Sequence, residues 1–168
     1  MTKIDCQHSY NERKELQAAL RSFLVNLDLP LFVTLAFNKS LSIAKAQKLL
    51  NEFHYQIQKS LWGKKFYRIP AEQRIFFIAF PEHIDSNIHY HLMLKVPPRY
   101  RVLFQIHAQN ALSRVLESAD LKIEEPQSPE DVIKTKFYST KDLFNELNYE
   151  HFVISTQFQR KPLREQMP

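Results

Sequence analysis

Two residue types on which many functional sites depend are almost missing from this chain of 168 residues. Its single glycine, Gly63, excludes the glycine-rich loops that cradle nucleotide phosphates. Its single cysteine, Cys6, excludes an internal disulfide and a zinc site built from several thiolates. The chain also lacks an apolar run of about 18 residues and a signal-peptide pattern at its start, so we expect a soluble, cytoplasmic protein that contacts no membrane.

The residues that are present indicate one folded domain. Hydrophobic residues make up 44% of the chain, and they include 13 Phe and 7 Tyr, which is enough for a proper core. The net charge of +5 permits a polyanionic partner without requiring one. We therefore predict a single domain over 1–168, with a helical extension at 1–30 and a mobile basic tail at 160–168.

Hydrophobic periodicity and turn-forming residues predict an alternation of helices and strands. The expected helices cover 12–26, 43–62, 99–117 and 129–147, and the expected strands cover 31–37, 74–80, 88–94, 121–124 and 152–156. The strands follow one another in hairpin or near-hairpin order with helices between them. This order predicts an α+β fold in which a central, mainly antiparallel sheet of about five strands is flanked by helices.

The run Ile-His-Tyr-His-Leu-Met-Leu at 88–94 carries the clearest chemical signal in the chain. Because alternate side chains of a strand share a face, His89 and His91 point the same way, while Tyr90 and its apolar neighbours point into a core. Glu82 comes just after the preceding strand, and its side chain can reach that face across the hairpin. Two imidazoles and one carboxylate make a divalent-metal site with open coordination positions.

The third ligand of this site has competitors in the same turn. His83 and Asp85 follow Glu82 closely and are alternatives to it. We predict Glu82, because a carboxylate suits Mg²⁺ or Mn²⁺ better than a third imidazole does.

The helix that begins at Pro129 carries a second candidate group. Helical spacing places Tyr138 and Lys141 one turn apart on the same side. A tyrosine becomes a competent covalent nucleophile once its phenolate is stabilised, and Lys141 can supply the positive charge. By itself this pattern is more typical of an ordinary amphipathic helix with long polar side chains.

Taken in chain order, these segments resemble the HUH endonuclease superfamily, and in particular its rolling-circle replication initiators with one catalytic tyrosine (Rep proteins). The likeness consists of the apolar strand with a threonine at 32–37, then Glu82, the His-hydrophobe-His at 89–91 and the Tyr-x-x-Lys at 138–141. It covers 31–156 and leaves 1–30 unmatched. The chain departs from the family in having no glycine between the second and third strands and no helicase or oligomerisation domain after the last strand.

The resemblance implies an enzyme that nicks and rejoins single-stranded DNA through a 5′-phosphotyrosine intermediate, and so initiates rolling-circle replication of a plasmid or phage. It assigns the metal, Mg²⁺ or Mn²⁺, to Glu82, His89 and His91, and it assigns catalysis to Tyr138 with Lys141. The implied partners are single-stranded or hairpin origin DNA and a helicase and polymerase borrowed from the host. Tyr149 is not expected to act as a second nucleophile.

A basic rim around the sheet is expected to contact the DNA, and aromatic side chains within it offer stacking faces. The basic residues are Lys64, Lys65, Arg68, Arg99 and Arg101, and the aromatic ones are Trp62, Tyr67 and Tyr100. Three alternatives stay open: an HUH-type transposase or relaxase with the same chemistry, a non-catalytic DNA-binding relative, and a purely structural zinc site.

Overall fold

The computed structural model describes residues 10–141 and 151–158. The elements in chain order are α1 (Tyr10–Val25), β1 (Leu31–Ala36), α2 (Ile43–Trp62), β2 (Phe76–Glu82), β3 (His89–Lys95), α3 (Arg101–Ser113), β4 (Asp120–Glu124), α4 (Pro129–Ser139) and β5 (Val153–Ile154). Short 3₁₀ turns at Phe66–Arg68, Ala71–Gln73, Pro98–Tyr100 and Ser155–Phe158 complete the described structure.

One sheet organises the described part of the chain. Its strand order is β4-β1-β3-β2-β5, and each neighbouring pair is antiparallel. The predicted α+β fold with a central antiparallel sheet and flanking helices is therefore confirmed. The histidine strand β3 lies at the centre of the sheet, so a neighbouring strand contacts it on either side.

Helices cover both faces of this sheet. On one face, Tyr90, Leu92 and Leu94 of β3 join a buried cluster with apolar residues of α2 and α3. On the other face, Met93 packs in a smaller cluster that includes Leu24 from the end of α1. Complete burial of one such side chain contributes roughly 1.5–3 kcal/mol, so the strand is anchored from both sides. His89 and His91 lie on the second face, next to this smaller cluster.

Helical periodicity places Phe23 on the apolar stripe of α1 and Ile106 on that of α3, and the structure corrects both placements. On α1, Leu24 is buried but Phe23 is 51% exposed. On α3, Ile106 is 59% exposed, and Phe104 and Ala108 are buried in its place. Helical periodicity on both helices is compatible with more than one apolar stripe, so the stripe that is buried depends on how the helix lies against the sheet.

The end of the last predicted helix also differs from expectation. α4 begins as predicted, because Ser128 caps it by accepting a hydrogen bond of 3.1 Å from the Asp131 backbone N–H. It ends at Ser139. Lys141 follows in a turn, and the Lys141 backbone N–H donates to the Tyr138 carbonyl at 3.1 Å. The predicted continuation through 142–147, together with Tyr149 and the tail at 160–168, lies outside the described residues. In the portion that is described, no helix has the length and apolarity required to cross a bilayer.

Candidate metal and tyrosine site

Strand register brings the three predicted metal ligands together. β2 runs two residues beyond the predicted 74–80, so Glu82 lies within the strand and directly opposite His89. On the other edge of β3, Thr34 of β1 lies directly opposite His91. Because directly opposed residues of an antiparallel pair share a face, these side chains all converge on the second face of the sheet.

The carboxylate of Glu82 is the centre of this cluster. Its Oε2 atom lies 2.9 Å from His89 Nε2 and 3.0 Å from His91 Nε2, and its Oε1 atom lies 3.4 Å from Lys141 Nζ. Glu82 and His91 are buried, and His89 is half-buried. Burial alone would raise the pKa of Glu82, but the two imidazoles and the Lys141 ammonium outweigh burial and lower that pKa below its ordinary value. The carboxylate is therefore ionised at neutral pH.

The outer nitrogens of both imidazoles are oriented by neighbouring oxygens. His89 Nδ1 lies 3.4 Å from the Asn87 carbonyl oxygen, and His91 Nδ1 lies 3.2 Å from Thr34 Oγ1. The Asn87 carbonyl and the Glu82 carboxylate can both only accept, so the tautomer of His89 decides whether it donates from Nδ1 to Asn87 or from Nε2 to Glu82 Oε2 at 2.9 Å. This outer-shell arrangement is the one that orients histidine ligands in metal sites.

The donor set fits a divalent cation. His91 Nε2 is buried 3.0 Å from Glu82 Oε2, but the two atoms are not oriented for a hydrogen bond. Ring nitrogens and a carboxylate oxygen that converge in this way repel one another unless a proton or a metal lies among them. Glu82 Oε2 therefore lies between the predicted ligands His89 and His91. Among the described residues, however, the group whose ligand atoms all lie within 4.8 Å of one another consists of Glu82, His83 and His89 and does not include His91.

The two alternative ligands differ in their placement. His83 is exposed. One of its ring nitrogens, a carboxylate oxygen of Glu82 and a ring nitrogen of His89 all lie within 4.8 Å of one another. Asp85 belongs to no such group among the described residues. His83 therefore stays a candidate ligand in addition to the predicted set.

The predicted nucleophile lies over the same face of the sheet. The Tyr138 ring centroid is 5.3 Å from that of His91 and 6.3 Å from that of Phe32, which itself stacks on His91. Lys141 Nζ lies 4.0 Å from the Tyr138 ring centroid. The Tyr138 side chain raises the pKa of Lys141, burial opposes this effect and Glu82 adds to it. Lys141 therefore connects the phenol to the carboxylate as a firmly protonated cation.

A cavity of about 800 Å³ opens beside this cluster. Its lining includes Thr34, His89, His91 and Tyr138. The cavity is open to solvent, and Tyr138 is 48% exposed, so a ligand in the cavity can reach the phenol. The cluster is thus accessible from solvent although its carboxylate is buried.

One of the five basic residues predicted to contact DNA is tied to this cavity, because Arg101 forms an ion pair of 3.4 Å with Glu125 of its lining. Lys64, Lys65 and Arg68 are exposed after α2, and Arg99 and Arg101 lie just after β3. The two segments are neighbours: the ring centroids of Trp62 and Tyr100 lie 5.0 Å apart. None of the five is among the described residues that line the cavity, and DNA contact by them stays a prediction.

Sequence reasoning missed several residues that the cavity contains. Lys122 and Lys134 are exposed cations in its lining, where they form ion pairs with Glu124 at 3.0 Å and with Asp131 at 3.7 Å. Phe32 and Thr34 also line it. Alternation along β1 does indicate that Phe32 and Thr34 share a face. That this face is also the face of His91 follows only from the pairing of β1 with β3.

Comparisons of the chain with protein-family models, with curated proteins and with solved structures gave no match. A function for this chain therefore has to be inferred from the described residues themselves.

Proposed function

We propose that this chain is a metal-dependent enzyme that nicks and rejoins single-stranded DNA through a covalent bond to Tyr138, in the manner of a rolling-circle replication initiator. The observation that carries the proposal is the placement of the Tyr138 ring 5.3 Å from the ring of His91, with Lys141 in contact with both the phenol ring and Glu82. A nuclease that activates water does not need a phenol at this position.

The chain's own residues prepare a site for the metal. Glu82, His89 and His91 would hold Mg²⁺ or Mn²⁺, which when bound supplies Lewis-acid polarisation of a phosphate oxygen. Thr34 and the Asn87 carbonyl hold the imidazoles in the required orientation. The depressed pKa of Glu82 keeps the carboxylate charged over the neutral range.

Tyr138 performs the covalent step in this proposal. Its phenolic oxygen forms a bond to phosphorus, and the bond between phosphorus and the 3′ oxygen breaks. The phenolic proton passes to solvent, the departing 3′ oxygen takes up a proton to become a hydroxyl, and the 5′ phosphate stays on the tyrosine. Lys141 stabilises the developing phenolate and phosphate charge. Attack by a 3′ hydroxyl reverses the step and rejoins the strand.

The substrate is single-stranded or locally melted DNA. The cavity that leads to His91 has to admit a phosphate against a largely buried cluster, and a flexible single strand can enter it more readily than a stiff duplex. Lys122 and Lys134 in its lining form ion pairs with Glu124 and Asp131, so they contact flanking phosphates only by exchanging these partners for the DNA. The basic residues after α2 and β3 would then hold a more distant part of the strand.

Covalent capture tests this proposal. A pool of single-stranded oligonucleotides of randomised sequence, labelled at the 3′ end, is incubated with the protein and Mn²⁺ and resolved on a denaturing protein gel. Because the 5′ phosphate stays on the enzyme, the labelled fragment should migrate with the protein. We expect Tyr138→Phe to abolish this band, whereas Tyr55→Phe, on α2 at the other face of the sheet, should retain it.

Each opposing result has a distinct meaning. A band of wild-type intensity from Tyr138→Phe would reject Tyr138 as the nucleophile. Binding of the oligonucleotide pool with no covalent band in any variant would favour a non-catalytic DNA-binding protein. Unfolding of the wild-type protein by a chelator would favour a structural zinc site.

A further inference from the structure

His83 adopts a backbone conformation that is uncommon for a residue with a side chain. Its φ angle is +53°, in the left-handed region, and its carbonyl accepts a hydrogen bond of 3.1 Å from the Ser86 backbone N–H in the turn after β2. Residues other than glycine rarely occupy this region, because their Cβ atom crowds the following carbonyl oxygen. Such conformations cluster at binding and catalytic sites, and they also occur in ordinary turns, where histidine and asparagine adopt them more readily than most residues do.

The left-handed backbone changes the side on which His83 presents its imidazole. In a continued strand, His83 would point away from the face of Glu82, because adjacent side chains alternate. The turn at His83 interrupts that alternation, and the His83 ring comes to lie 5.2 Å from the ring of His89. The ring of His89 in turn lies 5.1 Å from the ring of His91, so three imidazoles follow one another around the Glu82 carboxylate.

A second left-handed residue shows what an ordinary turn residue does. Asn38 has a φ of +55°, and its side-chain amide donates to the Ser118 carbonyl and to Asp120 Oδ2. These bonds join the Asn38 turn to the start of β4, so its side chain stabilises the fold. A ring nitrogen of His83 instead lies within 4.8 Å of a ligand atom of Glu82 and of one of His89.

We propose that His83 is a fourth protein ligand, and that the centre formed by Glu82, His83, His89 and His91 therefore selects a transition metal over Mg²⁺. The inference rests on the metal centre of the proposed function. Imidazole nitrogen suits Zn²⁺ and Co²⁺ and is accepted by Mn²⁺ beside a carboxylate, whereas Mg²⁺ takes oxygen ligands and retains several waters. A centre with three imidazoles and one carboxylate matches the first group of ions.

Metal titration of the whole chain tests this assignment without reference to DNA cleavage. Calorimetric affinities for Mn²⁺, Zn²⁺ and Mg²⁺ are measured for the wild type, His83→Gly and His83→Asn. Glycine and asparagine both tolerate the left-handed backbone, so the turn is preserved while the imidazole is removed. His107→Ala, on α3 at the opposite face of the sheet, controls for the loss of a histidine elsewhere.

We expect both His83 variants to bind Mn²⁺ and Zn²⁺ on the order of tenfold or more weakly, while their affinity for Mg²⁺ changes little. The visible absorption of bound Co²⁺ should change in both variants and remain unchanged in His107→Ala. Wild-type Mn²⁺ and Zn²⁺ affinities in both His83 variants would overturn the assignment. If those ions still depend on Glu82, His89 and His91, the proposed function survives; if the wild type binds no divalent ion, both proposals fail.

Discussion

Lys136 Nζ lies 2.7 Å from the carbonyl oxygen of Leu27 and 3.3 Å from that of Val25, so a buried cation of α4 caps the carboxyl end of α1. Burial lowers the pKa of Lys136, and the nearby Asp28 charge opposes this effect. These contacts lie close in the chain to Tyr138. The helix in the unmatched region 1–30 therefore supports the helix that carries the proposed nucleophile.

Replacing Lys136 with methionine should weaken this support. The substitution leaves two main-chain carbonyls without their donor, and we expect the free energy of unfolding to fall by roughly 1–3 kcal/mol in a denaturant titration. We also expect the single-turnover rate of covalent capture to fall more than DNA affinity does, because Tyr138 loses its position. Lys48→Met, at an exposed site of α2, is the control. An unchanged capture rate in folded Lys136→Met would show that α1 does not position the phenol.

Thr34 should matter to the metal through His91. In Thr34→Val the hydroxyl beside His91 Nδ1 is replaced by a methyl group of similar size, so the imidazole loses its orienting partner. We expect the affinity for Mn²⁺ to fall by roughly tenfold in a calorimetric titration, whereas Thr34→Ser should retain it. Equal affinities for the valine and serine variants would mean that the hydroxyl does not orient the ligand.

Lys141 should affect the chemical step rather than metal binding. In Lys141→Met the cation beside the Tyr138 ring and Glu82 is lost, so we expect covalent capture to slow by about 10²-fold or more. The affinity for Mn²⁺ should not fall, because a competing positive charge has been removed from the carboxylate. Rapid-quench kinetics and calorimetry measure the two effects separately. A Lys141→Met variant that loses metal but captures DNA at the wild-type rate would reverse these roles.

His54 should make stability depend on pH. Burial lowers its pKa from 6.5 to about 4, a hydrogen bond with the Ile75 backbone opposes this effect and the Arg74 charge adds to it. The Gln58 amide Nε2 lies 3.1 Å from His54 Nε2 and can only donate to it, so the native ring is neutral. Between pH 6.5 and 4 the unfolded chain binds a proton that the native protein resists, so stability falls as the pH falls, by up to about 3 kcal/mol.

The variant His54→Gln isolates this contribution. It cannot titrate, so the difference in unfolding free energy between wild type and variant should shrink or reverse as the pH falls toward 4. Urea titrations at several pH values give that difference directly. A constant difference over this range would show that His54 titrates alike in the folded and unfolded chain.

Some of the site follows from local backbone geometry alone. The alternation of a strand places His89 and His91 on one face, and helical spacing places Tyr138 and Lys141 on one side. Both inferences need only a few consecutive residues, because the repeat of a strand or helix is set by its own dihedral angles. Lys141 lies beside Tyr138 as predicted, although the helix ends at Ser139 and not at 147. The turn after Ser139 keeps the two side chains together.

The sequence by itself thus determined the α+β class, the order of the elements and the face shared by the two histidines. Only the tertiary structure decided that Glu82 pairs with His89 inside β2, that Thr34 supports His91, and that α1 holds α4 through Lys136. These relationships depend on strand register and on packing between segments far apart in the chain. Local periodicity contains no information about either, because several registers and several buried stripes satisfy the same pattern.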